Sequence, residues 1–174
     1  KGLPKGLKLN RKTGLITGST NTNGNFKVRL QATNEKGTDE KEITLKIGSE
    51  IMLTPPMGWN SWNCWRFAAD DQKVRDAARI MHEKLQAYGW TYVNIDDGWE
   101  ADERTPEGEL PANEKFPDFK TLTDYIHSLG LKFGIYSSPG WTTCGKHIGS
   151  YQHELTDAKT WEKWGVDYLK YDYC

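Results

Sequence analysis

The 174-residue sequence predicts a parallel α/β fold behind a short antiparallel β module. Two observations predict the parallel part. An amphipathic helix, a glycine and an apolar strand recur in that order three times, and each strand ends in polar residues. A third observation sets the front apart, because apolar and polar residues alternate there in the manner of half-buried strands.

In the front module, residues 1–49, "GNFKVRLQATN" puts Phe26, Val28, Leu30 and Ala32 on one face, and "KEITLKIG" does the same with Ile43, Leu45 and Ile47. Gly, Asn and Thr clusters separate the runs. In the remainder, residues 50–174, the period changes at residue 69. "DDQKVRDAARIMHEKLQAYG" stripes a helix with Val74, Ala78, Met81, Leu85 and Tyr88, capped by Asp70 or Asp71 and stopped by Gly89. "DFKTLTDYIHSLG" stripes a second with Leu122, Tyr125, Ile126 and Leu129, and "DAKTWEKWG" a third with Ala158, Trp161 and Trp164. The strands "WTYVNIDD", "LKFGIYSS" and "VDYLKYDY" follow directly.

Aligned on Gly89, Gly130 and Gly165, these strands end on Asp96, Ser137 and Asp172 at equivalent positions. The carboxyl ends of parallel strands are where α/β folds bind ligands, since side chains there escape the packed core. Lys170 and Asp172, two apart, share a strand face, and an ammonium beside a carboxylate keeps it ionised. That favours a nucleophile over a general acid; an ordinary strand-end ion pair is the alternative. Asp96 and Asp97 read as acceptors for hydroxyl groups, or as a turn or helix cap.

Composition narrows the function classes. Eight Trp and eight Tyr supply flat apolar faces with a polar handle, suited to sugars as well as to cores. Of Trp59, Trp62 and Trp65, most are expected in the core and one on a pyranose face. Residues 1 to 50 carry ten Lys/Arg against five Asp/Glu, and the rest thirteen against nineteen. This supports a boundary near residue 50, but the basic residues are scattered along alternating strands and predict no nucleic-acid partner. No stretch is long and apolar enough to span a membrane, and the start lacks a signal-peptide core. P-loop, GxGxxG, GxSxG and HExxH signatures are absent. No acidic cluster at fixed spacing follows Asp96 and Asp97, so neither metal nor cofactor is expected. Three cysteines permit one bridge with one left over.

Two stretches resemble known families. The front segment, with its Leu3-Pro4-x-Gly6-Leu7 start, Thr13-Gly14, and Ala32-Thr33-Asn34 followed by Gly37, is similar to Ig-like modules found beside bacterial surface and secreted enzymes, shortened to a partial β-sandwich. From Thr54 to Cys174, "TPPMGWNSWNCW", "VNIDDGWE", "FPDF", "DYIHSLGLKFGIYSSPGWTTC", "GSY" and "WGVDYLKYDYC" resemble the first half of the catalytic domain of glycoside hydrolase family 27, the α-galactosidase and α-N-acetylgalactosaminidase family.

That resemblance implies a (β/α)8 TIM barrel, about four βα units of which are present, and a retaining hydrolase of terminal α-linked galactose with a carbohydrate as its partner. Asp172 would be the nucleophile, and Lys170 would bond sugar hydroxyls and keep Asp172 charged. Asp96 and Asp97 would take the outer hydroxyls, Trp62 would stack on the ring, and Tyr136 would approach it. Cys144 and Cys174 would form a disulfide beside the site, leaving Cys64 as a buried free thiol because Gly98 stands where the family usually has cysteine. Two further departures are Ser137-Ser138-Pro139-Gly140 in place of Ser-Asp-x-Gly, and Tyr173 after the nucleophile.

By strand parity Tyr136, one short of Ser137, should point away from the cluster unless a bulge or the strand's end re-aims it. Retention needs a second carboxyl about 5 Å from the first, and no residue here matches the family's acid. The expectation is a fragment, inactive alone, of a periplasmic or extracellular enzyme whose export signal lies upstream. A noncatalytic galactoside-binding surface protein is the rival reading; within the family, β-L-arabinopyranoside or α-N-acetylgalactosaminide are alternative substrates.

Overall fold

The computed structural model describes residues 1–49, 52 and 55–174, and the expected boundary after residue 49 abuts positions outside the described residues. The chain divides into two compact units, Lys1–Pro55 and Pro56–Cys174.

In the first unit, β1 (Leu7–Leu9) and β2 (Ile16–Gly18) form one antiparallel pair, and β3 (Gly24–Asn34) and β4 (Gly37–Ile47) another. The register of the long hairpin sets Phe26 against Leu45 and Val28 against Ile43, as the alternation requires. Asn34 closes its turn by accepting a hydrogen bond from the Lys36 amide at 2.8 Å. The N-terminal residues run beside β3, with Arg29 N donating to Lys1 O at 2.9 Å. Val28 is fully buried, but Ala32, level with Asp39, is exposed. Alternation at that end of the hairpin therefore marks orientation without burial.

The second unit is α/β. Strands β5 (Gly58–Asn60), β6 (Tyr92–Asn94), β7 (Lys132–Ser137) and β8 (Tyr168–Tyr171) lie side by side in chain order, all parallel. A single turn, α1 (Trp62–Trp65), follows β5; α2 (Asp71–Lys84), α3 (Phe119–Ser128) and α4 (Glu154–Trp164) precede the other three strands. The core joins Val74, Ala78 and Met81 of α2 and Phe119, Leu122 and Ile126 of α3 to Val93, Ile95, Phe133, Ile135 and Trp99.

Of the two caps offered for α2 the structure uses Asp70, and α3 gains one that was not expected. Asp70 accepts from Lys73 N at 2.9 Å and Asp118 from Thr121 N at 3.0 Å, each satisfying an orphan amide of a first turn. Left-handed Gly89 and Gly165 end their helical segments. Two stripes depart from expectation. Leu85 and Tyr88 are 40% and 74% exposed, because the chain leaves α geometry after Lys84 and a tighter 3-10 turn, Gln86–Tyr88, rotates them off the buried face. Helix α4 starts at Glu154 and buries Asp157 and Thr160 beside Trp161, while Ala158 is exposed. The buried carboxylate has its own partner: Arg104 donates to both Asp157 oxygens at 2.6 and 2.9 Å and to the carbonyls of Gly108 and Gly149.

At the amino ends of β7 and β8, Asp167 Oδ2 accepts from Phe133 N at 2.9 Å and meets His127 Nε2 at 2.7 Å. Partial burial works against its charge, but these bonds and nearby Lys132 outweigh that and hold its pKa below the ordinary value. Asp167→Ala is expected to cost about 1–3 kcal/mol at neutral pH by chemical denaturation. A depressed folded pKa stabilises above the unfolded value, ~3.9, so the gap between wild type and variant should close as pH falls below it.

Candidate active site

Strand pairing, not the glycine count, decides which side chains meet. Asn94 pairs with Gly134, Gly134 with Tyr168, and Tyr136 with Lys170. Relative to the glycine alignment, each strand is therefore displaced by one residue from its neighbour. Continued two residues past Asn94, the register sets Asp96 beside Tyr136 beside Lys170. Paired residues of parallel strands face the same way, so these three share one face at the carboxyl ends. The expectation that Tyr136 points away is thus corrected without any bulge. Ser137 takes the opposite face, where it is fully buried and bonds the Ser150 hydroxyl at 2.9 Å.

Lys170 is the hub. Its Nζ lies 2.8 Å from Asp96 Oδ2, 3.6 Å from Asp172 Oδ2 and 5.1 Å from the centre of the Tyr136 ring. Partial burial disfavours its charge, but the bond to Asp96 and the attraction of both carboxylates outweigh that and raise its pKa above the ordinary lysine value. Burial likewise pushes the Tyr136 phenol up to about 12, with Asp97, Asp172 and Asp96 adding to the shift and the Cys144 backbone amide opposing it. Tyr136 therefore stays a neutral hydroxyl.

The aspartate pair is held by backbone and side chain together. Asp96 N donates to Ser61 Oγ at 2.9 Å, Asp97 N donates to Asp96 Oδ1 at 3.0 Å, and Asp97 Oδ2 accepts from Gly145 N at 2.6 Å. Asp172 N donates to Ser137 O at 3.1 Å. The Cys144–Cys174 disulfide links the loop that carries Gly145 to the segment that carries Asp172, limiting the freedom of both.

Trp59 and Trp65 meet edge to face at 5.5 Å and pack on the core. Trp62 stays half-buried against Phe67 at 5.1 Å. Phe67 in turn abuts Gly98 and Gly145, beside the aspartates, so closely that a Cβ on either glycine would collide with its ring. Cys64, expected buried, is exposed, because α1 buries no residue. Tyr173 is exposed, and Ser138 is buried with its hydroxyl accepting from Gly140 N at 3.1 Å.

Sequence reasoning passed over Phe67, Glu100 and His147. No acidic cluster at fixed spacing follows the aspartate pair along the chain, but in space Asp97, Glu100 and His147 offer ligand-type atoms within 4.8 Å of one another. Glu100 accepts from Gly98 N at 2.9 Å, and burial, with the charge of Asp97, pushes its pKa up to about 8 against opposing backbone bonds. The spacing of Asp97 and Glu100 was visible along the chain; the arrival of His147 from the loop after β7 had no local signal.

With this geometry in place, comparison with known proteins decides the family. A family model described as alpha galactosidase A matches residues 54–174. The chain belongs to that family. An Ig-domain family model matches residues 1–48. Among curated relatives, the chain is 48% identical over 142 residues to an alpha-galactosidase of Coffea arabica, a match that covers 79% of this chain and 38% of the relative. Alpha-galactosidase I of Mortierella vinacea is 50% identical with a TM-score of 0.71, over 74% of this chain and 33% of that one. A Bacteroides fragilis structure with a provisional alpha-galactosidase/melibiase assignment is 45% identical with a TM-score of 0.74, over 100% of this chain and 38% of its own. The chain thus spans well under half the length of the relatives it matches. Among the described residues, no helix is long and apolar enough to cross a membrane.

Proposed function

We propose that residues 50–174 form the first part of a (β/α)8 barrel in a retaining glycoside hydrolase that releases terminal α-linked galactose, and that residues 1–49 form an Ig-like module. The supporting observation is the double engagement of Lys170 with Asp96 and Asp172, at the ends of the two strands that flank β7. One ammonium there draws together a buried carboxylate that accepts hydroxyl groups and a half-exposed one open to substrate.

In this reading an Asp172 oxygen attacks the anomeric carbon while the bond to the leaving oxygen breaks, and a general acid outside this stretch protonates that oxygen. Water then attacks the glycosyl ester, returns its proton to the former acid and restores Asp172, so two inversions give net retention. Asp96, Asp97 and Lys170 grip the sugar hydroxyls, Tyr136 presents a neutral hydroxyl, and Trp62 offers an apolar ring face. The Cys144–Cys174 bridge fits an oxidising compartment, periplasmic or extracellular.

A galactose-configured epoxide tests the assignment, since it forms a stable ester only with a working nucleophile. In the protein with its natural flanking sequence, peptide mass spectrometry should find one adduct, on Asp172. Reversible galactose binding with no adduct would favour a lectin, and an adduct on a different carboxylate would move the nucleophile.

A further inference from the structure

We infer that Asp97, Glu100 and His147 form a binding site for one first-row divalent cation, with Zn2+ as the best-fitting ion, immediately behind the aspartate pair. Asp97 and Glu100 are 3% and 1% exposed. Each carboxylate has one committed oxygen: Asp97 Oδ2 accepts from Gly145 N at 2.6 Å, and Glu100 Oε2 from Gly98 N at 2.9 Å. Each also has a buried oxygen, Asp97 Oδ1 and Glu100 Oε1, without a hydrogen-bond partner among the described residues. Leaving such atoms unpaired is costly, and two neighbouring acceptors cannot satisfy one another without a proton or a cation between them.

The third member supplies what a cation needs. The His147 ring makes no hydrogen bond among the described residues; it touches Phe67 edge to face at 5.4 Å. Its backbone is fixed by Thr143, whose hydroxyl accepts from His147 N at 3.0 Å. Lys115, which lines the adjoining cleft, is committed to Phe67 O at 2.9 Å. Two carboxylate oxygens and one imidazole nitrogen form the mixed donor set of zinc sites with an open coordination position, at ligand distances of about 2.0–2.2 Å. Ligand atoms within 4.8 Å of one another must draw in to reach those distances, and no hydrogen bond among the described residues holds the half-buried imidazole against that shift. A cleft of about 430 Å3 lined by Glu100, Asp102, Asn113, Glu114, Lys115 and His147 gives the ion its path from solvent.

Gly98 is integral to this arrangement. Its φ of +98° and the Phe67 ring against its Cα exclude a side chain there, and its amide fixes the committed oxygen of Glu100. This inference stands whether or not the hydrolase reading does, because its test involves no sugar.

The untagged protein with its natural flanking sequence, stripped with chelator, is titrated with ZnCl2 by calorimetry, and its metal content after dialysis is measured by mass spectrometry. One equivalent should bind. Glu100→Gln, which is isosteric, and His147→Ala, at a half-buried loop position, should each weaken binding by more than about 100-fold, beyond the loss expected when a residue that only orients a ligand is changed. His153→Ala, outside the cluster, should leave it unchanged. Absence of binding, with a proton or water serving the two orphan oxygens instead, overturns the inference. So does one equivalent that survives both substitutions, and His147→Ala alone decides the matter if Glu100→Gln fails to fold.

Discussion

In the whole hydrolase proposed above, Asp172→Ala is expected to lower kcat/KM on a nitrophenyl α-galactoside by at least about 10⁴-fold, the scale on which loss of a covalent nucleophile is felt. Fold and sugar affinity should survive. The Asp172 side chain is 45% exposed and its placing bond comes from its own amide, 3.1 Å from Ser137 O, so truncation opens no buried cavity. Added azide offers a second readout. A small anion in the vacated space attacks the anomeric carbon once, and the product is a β-galactosyl azide of inverted configuration. Recovery of that product identifies the missing group as the nucleophile, which a loss of rate alone does not. A variant that keeps more than about a hundredth of the wild-type rate would remove Asp172 from the chemistry.

Lys170→Met is the second large effect, with an expected loss of about 10²- to 10³-fold in kcat/KM, comparable with removal of one preorganised electrostatic donor. Methionine keeps the length and apolar stem while deleting the charge. Asp96, whose side chain is 4% exposed, then holds a buried carboxylate without its cation, and the face shared with Tyr136 and Asp172 loses its hub. Both constants should move: KM through lost hydroxyl binding, kcat through the disturbed nucleophile. A rise in KM with kcat intact would confine Lys170 to substrate binding. Because the raised pKa of Lys170 keeps it charged, the wild-type rate should show no alkaline loss attributable to this residue until the pH passes the ordinary lysine value, about 10.4.

Much of this was legible along the chain. Asp70, one of the two caps offered, caps its helix, Gly89 and Gly165 end theirs, and the apolar strands pack as a parallel sheet, because capping, left-handed φ and periodicity are local properties. Lys170 beside Asp172 was equally readable, two residues apart on one face. The departures arise where burial is shared with a distant partner. Asp157 sits on the buried face of α4 because Arg104 reaches it, and no periodicity within α4 announces that arginine.

Thus the sequence alone determined the order of helices and strands, the alternating faces of the hairpin and the polar tips of the strands, since each depends on neighbours within a few residues. Tertiary structure decided that Tyr136, not Ser137, meets Lys170 and Asp96, and that Glu100 and His147 close around Asp97. Register belongs to a pair of strands, and a one-residue displacement between them reverses which face each side chain takes.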